Sequence, residues 1–179
     1  MEEFIGYPKI PRLSRDIVIT EKIDGTNAQI YIPDDLSDAF AASRKKWITP
    51  EKDNHGFAKW VLEHKDELIA GLGAGRHFGE WWGQGINRGY GLKEKRFSLF
   101  RVDKWGETRP SCCHIVPVIF QGEFTTDNIQ IGIEMLRSYG SYAAPGYKNP
   151  EGIVIFHTAS GYLFKKTLEN DDKPKGAAE

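Results

Sequence analysis

Cysteine is nearly missing from this sequence. Only Cys112 and Cys113 occur in 179 residues, and they are neighbours. Adjacent cysteines cannot close an unstrained disulfide, and the run CCH lacks the spacing of a zinc site. A disulfide scaffold is therefore excluded, and a reducing compartment, the cytoplasm, is expected. The histidines His55, His64, His77, His114 and His157 form no ligand set by spacing. No apolar run approaches the roughly 20 residues of a membrane span. The opening MEEFIGYPKI has no apolar core behind a basic start, so no secretory signal is expected. Neither sign of charge prevails: 24 Lys and Arg stand against 25 Asp and Glu, for a net charge of -1. Bulk attraction to nucleic acid is thus excluded, although a local basic groove is not. The glycine-rich GQGINRGYG lacks the lysine and hydroxyl of a phosphate-binding loop and reads as a mobile loop.

What is present is an ordinary globular composition, 40% hydrophobic and 27% charged, with a rich 12% of aromatics. The length predicts one domain over residues 1–168, a polar tail over 169–179 and no second domain. RDIVITEKIDGTNAQIYIP alternates as two strands, and Asp24-Gly25 between them is a hairpin signal. HGFAKWVLEHKDELIAGLGAG reads as one helix ended by glycines. RHFGEWW, KRFSLFRVDKW and CHIVPVIFQG read as strands, the last interrupted by Pro117. TTDNIQIGIEMLRSYG reads as a helix capped by Thr126 or Asp127. EGIVIFHTASGYLFKKT reads as a second hairpin turning at Ser160-Gly161. The pattern predicts an α+β domain of mainly antiparallel sheets with flanking helices.

Four stretches put charge where a strand wants burial: EKIDGTN, FGEWWG, EGIVIF and LFKKT. Alone, each has a plain explanation: a turn, a structural carboxylate, a buried strand, a lysine reaching from a strand to water. Together they place Lys22, Glu80, Glu151 and the pair Lys165-Lys166 as candidates for one cleft. Carboxylates and ammonium groups in one cleft suit phosphate and metal chemistry. A free lysine, with a pKa of about 10.4, is protonated at neutral pH. Burial and neighbouring cations favour the neutral amine, which can attack phosphorus and split one displacement into two.

The order K-I-D-G, then a glutamate in FGEWWG, then EGIVIF, then FKKT resembles the motif order of covalent nucleotidyltransferases, the polynucleotide ligases and mRNA-capping enzymes. The glutamate before the lysine and the G-T-N after the aspartate are most similar to ATP-dependent RNA ligases, especially type 2 phage RNA ligases. The matching motifs run from position 21 to near 167. The resemblance implies a ligase-type adenylyltransferase (ATP-grasp-like) domain that uses ATP and Mg²⁺ or Mn²⁺. It implies Lys22 as the nucleophile that becomes adenylylated. It implies Glu21 at the adenine edge, Asn27 near the α-phosphate and Arg44 at the ribose or the nucleic-acid end. It implies Glu80 on the ribose hydroxyls, Phe97 stacked on the purine with Phe100 as the fallback, Glu151 on the metal through water, and Lys165 on the α-phosphate.

The family's last motif reads lysine–any–lysine, whereas Lys165-Lys166-Thr167 puts only one lysine in register and leaves open which one. The implied substrate is RNA, or a nicked nucleic acid, with 5′-phosphate and 3′-hydroxyl ends, as in RNA repair. A partner protein that provides a missing domain is also implied, and no membrane. The rival activities are a DNA ligase, a GTP-dependent capping guanylyltransferase and a nucleotide- or RNA-end-binding module without turnover.

Overall fold

Ile17, Ile19 and Glu21 alternate with Val18 and Thr20, and this two-residue period builds the first strand, β1 (Asp16–Lys22), with the isoleucines fully buried. The computed structural model describes residues 2–106 and 108–172, so the end of the expected tail, 173–179, lies outside the described residues. β2 (Thr26–Ile32) follows, then β3 (Phe40–Ser43), helices α1 (Phe57–Glu63) and α2 (Lys65–Leu72), and β4 (Gly75–Gly83). β5 (Lys95–Leu99), the short α3 (Val102–Trp105), β6 (Cys113–Ile115) and β7 (Val118–Glu123) come next. The chain closes with α4 (Thr126–Tyr139), β8 (Gly152–His157) and β9 (Tyr162–Thr167).

Two sheets result, ordered β7-β1-β8-β9 and β3-β2-β4-β5-β6. Among the described residues all strand pairings are antiparallel except β5 with β6, as the sequence pattern predicts for an α+β domain. The expected first hairpin is absent. β1 and β2 belong to different sheets, and Ile23-Asp24-Gly25 carries the chain across between them. Gly25 is demanded by close approach. A Cβ there would collide with the Trp81 carbonyl oxygen and lie 2.7 Å from the Trp82 Cβ. Pro117 marks the second crossing, from β6 in one sheet to β7 in the other, and its carbonyl accepts from the Glu21 N–H at 3.0 Å. The β8–β9 hairpin forms as expected, with Gly161 at φ 71° in its turn.

Each sheet has its own core. On one face of the five-stranded sheet, Ala28, Ile30, Trp81, Phe97 and Leu99 pack against Phe57, Val61 and Leu68 of α1 and α2. On the four-stranded sheet, Ile17, Ile19, Ile153 and Ile155 meet Ile133 and Leu136 of α4. Each fully buried large side chain stabilises the fold by roughly 1.5–3 kcal/mol. A smaller cluster of Ile23, Trp82, Tyr90, Val116 and Ala144 gathers residues of both sheet crossings.

The helices differ from expectation at their ends. The expected single helix over 57–72 breaks at His64, whose Nδ1 lies 2.9 Å from the Trp60 carbonyl oxygen and bonds it as a donor in the Nδ1–H tautomer. The cap of α4 is Thr125, one residue earlier than expected: its Oγ1 accepts from the Asn128 N–H at 3.0 Å. No described helix is long and apolar enough to cross a membrane.

Candidate active site

β1 ends at Lys22, and the ladder sets Lys22 opposite Gly152, the first residue of β8. Glu151 directly precedes that strand, so the pairing brings the two side chains together across 129 positions of sequence. Lys22 Nζ donates to Glu151 Oε2 at 2.6 Å, and the Glu151 side chain is only 8% exposed. Gly152 has its own constraint, because a Cβ there would collide with the Lys166 carbonyl of β9. Tight packing of three strands thus fixes the row that holds the lysine.

Glu80 comes from the other sheet. It lies on β4 opposite Asn27 of β2, and its Oε1 accepts from the Gly25 N–H at 3.1 Å. Burial pushes its carboxyl up to about 7, against the opposing pull of the Lys22 ammonium and the Gly25 N–H. Glu151 and Asp24 raise it further, which places all of these charges in one field.

The crossover itself is clamped. Asp24 accepts from Asn87 Nδ2 at 2.9 Å and from Arg88 Nε at 3.1 Å, while its own N–H donates to the Tyr90 hydroxyl at 2.8 Å. Asn87 Nδ2 also donates to the Gly25 carbonyl at 2.6 Å. Arg88 Nη1 reaches the Asn149 carbonyl at 3.0 Å, two residues before Glu151. The glycine-rich stretch expected to be a mobile loop is therefore a brace, tying the Ile23-Asp24-Gly25 crossover to the segment that presents Glu151. Sequence reasoning missed Asn87, Arg88 and Tyr90; their only signal was polar side chains set among glycines.

The remaining expected residues fall into place unevenly. Lys165 pairs with Val154, which pairs with Thr20, so strand alternation puts it on the Lys22 face of the sheet. Lys166 sits one position on, in the row of Ile153 and Glu21 on the opposite face, and bonds Asp171 at 3.4 Å. Of the pair, Lys165 alone shares the face of Lys22, and Lys166 points away from it. Thr167 stands in the same cross-strand row as Lys22.

Glu21 is 1% exposed, and its carboxylate accepts from Ser141 Oγ at 2.6 Å and from the N–H groups of Tyr142 and Ala143 at 2.8 and 2.9 Å. Burial raises its pKa and those donors oppose the shift. The Glu21 side chain therefore anchors the loop after α4. Arg44 is exposed just past the Ala28–Ser43 pair, which carries it toward the Asn27 end of β2. Phe97 is a correction: it is fully buried on the far side of the five-stranded sheet, against Phe57 and Trp60. Phe100, the fallback, is 37% exposed and joins the Glu80 side, its N–H donating to the Phe78 carbonyl at 3.0 Å.

Among the described residues no group of three or more His, Cys, Asp or Glu is arranged to hold a metal ion. The cleft nonetheless offers the hard carboxylate oxygens that Mg²⁺ or Mn²⁺ prefers, in the one- or two-carboxylate number that suffices when a ligand's phosphates complete the shell.

A strand-end lysine thus lies beside carboxylates from both sheets, the residue types that phosphate chemistry uses. The RNA ligase family model matches residues 15–167, and the chain belongs to that family. Comparison with curated proteins gave no match. Among solved structures, a Naegleria gruberi RNA ligase mutant with ATP and Mn aligns over 85% of this chain with a TM-score of 0.60 and 17% identity. Another mutant of that ligase, in its apo form, aligns over 90% with a TM-score of 0.61 and 19% identity, and the ligase with PPi over 88% with 0.59 and 19%. These likenesses carry the fold. The chain spans about half the length of those chains, 49%, 53% and 52% respectively.

Proposed function

We propose that this chain carries the nucleotidyl-transfer site of an ATP-dependent RNA ligase, with Lys22 as its nucleophile. The observation that supports this most is the pairing of Lys22 with Glu151 across 129 residues, inside the cleft that Glu80 completes. Family membership over residues 15–167 and neighbours solved with ATP, Mn and PPi favour the same reading.

The chemistry runs in three displacements. Lys22 Nζ attacks the α-phosphorus of ATP, the N–P bond forms, the bond to pyrophosphate breaks, and the amine gives up a proton. A 5′-phosphate oxygen of RNA then attacks that phosphorus and displaces the lysine. A 3′-hydroxyl attacks the RNA 5′-phosphorus, loses its proton and expels AMP. Glu151 holds Nζ in position until its lone pair turns to phosphorus. Lys165 approaches from the same sheet face to meet charge on the α-phosphate. In this reading Glu80 takes the ribose hydroxyls, Asn27 the phosphate and Phe100 the purine face. A divalent cation would be held with the help of Glu151 and would supply charge neutralisation to the triphosphate.

The test is intact-protein mass after incubation with ATP and Mg²⁺, beside Lys22→Ala and beside GTP. An AMP adduct on the native protein and none on the variant is the expected result. A GMP adduct instead reassigns the chain to capping chemistry. No adduct with either nucleotide in folded protein overturns self-adenylylation and favours an end-binding module.

A further inference from the structure

The face of the five-stranded sheet that carries Glu80 continues past the cleft and lies open. Cross-strand pairs run outward from Asn27–Glu80 to Gln29–Phe78 and then to Tyr31–Arg76, with Phe40 of β3 opposite Tyr31. Trp47 folds back beside Ala42, on the same face. Burial decreases along this line. Trp82 is 1% exposed, whereas Phe78 is 46%, Phe40 44% and Trp47 54% exposed.

The outer rings form a group. Centroids lie 6.3 Å apart for Tyr31–Phe40, 5.9 Å for Tyr31–Trp47 and 6.4 Å for Phe40–Trp47. The Arg76 guanidinium sits 4.6 Å from the Tyr31 centroid and 5.5 Å from that of Trp47. The turn between Phe40 and Trp47 holds Arg44, Lys45 and Lys46, all exposed, and no acid occurs from Phe40 through Thr49. In a chain of net charge -1 this is a local excess of cations beside bare aromatic rings. Asp34, Asp35 and Asp38 follow the end of β2 and bound the patch; Asp38 is paired with Lys65 at 2.8 Å.

Rings alone fit many partners, and cations alone fit any anion. Interleaved on an open sheet face, they fit single-stranded nucleic acid, whose bases stack on aromatics while its phosphates meet the cations. We infer that Tyr31, Phe40, Trp47 and Arg76 form a base-stacking track that holds single-stranded RNA as it enters the lysine cleft. The inference rests on the ligase reading for the direction of the strand. Tyr31 lies four positions along β2 from Asn27, about 13 Å at strand rise, so the track holds nucleotides a short way from the reacting end.

The experiment measures binding of a short 5′-phosphorylated single-stranded RNA, by anisotropy and by quenching of tryptophan fluorescence, at a series of salt concentrations. Trp47→Ala and Phe40→Ala are each expected to weaken binding about tenfold, while Trp47→Phe retains most of it. Arg76→Ala is expected to reduce the slope of log affinity against log salt by about 1. Formation of Lys22-AMP from ATP alone is expected to be unchanged in Trp47→Ala, since the ring lies outside the cleft. Equal RNA affinity for the native protein and the Trp47→Ala, Phe40→Ala pair overturns the track, as does a native protein that binds no RNA. Loss of self-association in those variants with RNA affinity unaltered reassigns the face to protein contact and also overturns it. No Lys22-AMP in the native protein, with Trp47-dependent RNA binding intact, sinks the ligase reading and leaves the track standing.

Discussion

The four-stranded sheet brings Lys22, Glu151 and Lys165 to the cleft through adjoining strands, and its carboxylate there has an ammonium 2.6 Å away. The five-stranded sheet brings Glu80, whose contact from the crossover is a single backbone N–H at 3.1 Å. Burial pushes the Glu80 carboxyl up to about 7, even with the Lys22 ammonium pulling the other way. The Lys22 ammonium and one backbone amide offset only part of that desolvation. One sheet therefore presents an ion pair, and the other holds a carboxyl that changes state near neutrality.

The sharpest way to break this comparison is to substitute the neighbouring lysines of β9. Lys165→Ala is expected to slow formation of the Lys22 adduct about 100-fold, as loss of a charge-stabilising donor does. Lys166→Ala, on the opposite face, is expected to leave it within about twofold. Adduct formation followed by mass against time decides between them, and equal losses would show that strand alternation does not set their roles.

A smaller effect is expected where the sheets are joined. Gly25→Ala drives a methyl into the Trp81 carbonyl and the Trp82 side chain, and should destabilise the protein by about 2–3 kcal/mol in denaturant titration. Unchanged stability would mean that the crossover can shift without cost.

The smallest effect concerns Glu80. Its folded-state pKa of about 7 lies above the 4.5 of an ordinary glutamate, so the native state binds the extra proton between those values. Stability should therefore fall as pH rises from about 4.5 to about 7 and stay lower above it. Glu80→Gln lacks this loss, and its advantage over the native protein should reach on the order of 2 kcal/mol above neutrality. Parallel melting-temperature curves against pH for both proteins would contradict the assignment.

Much of the secondary structure was legible because its signals are local. The alternation of Ile17, Ile19 and Glu21, the helical stripe of Ile129, Ile133 and Leu136, and the Ser160-Gly161 turn all act within a few residues. The first hairpin was misread because Asp-Gly favours turns in general, and nothing local tells a turn that pairs its flanking strands from one that sends them to separate sheets. Phe97 was misplaced for a related reason. Phe97 and Phe100 lie in one aromatic run, and only the pairing of β5 with β4 decides that the first faces α1 and the second the cleft side.

The sequence by itself determined the α+β class and the order of the motifs, along with the residue types that phosphate chemistry needs, because composition, period and spacing are properties of the chain. The tertiary structure decided which side chains meet. It put Glu151 on Lys22, turned Lys165 and Lys166 to opposite faces, made a brace of the glycine-rich stretch, and left Trp47 and Phe40 open beside Arg76. Those outcomes depend on strand register across the sheets, and register is settled by packing the whole fold at once rather than by any local stretch.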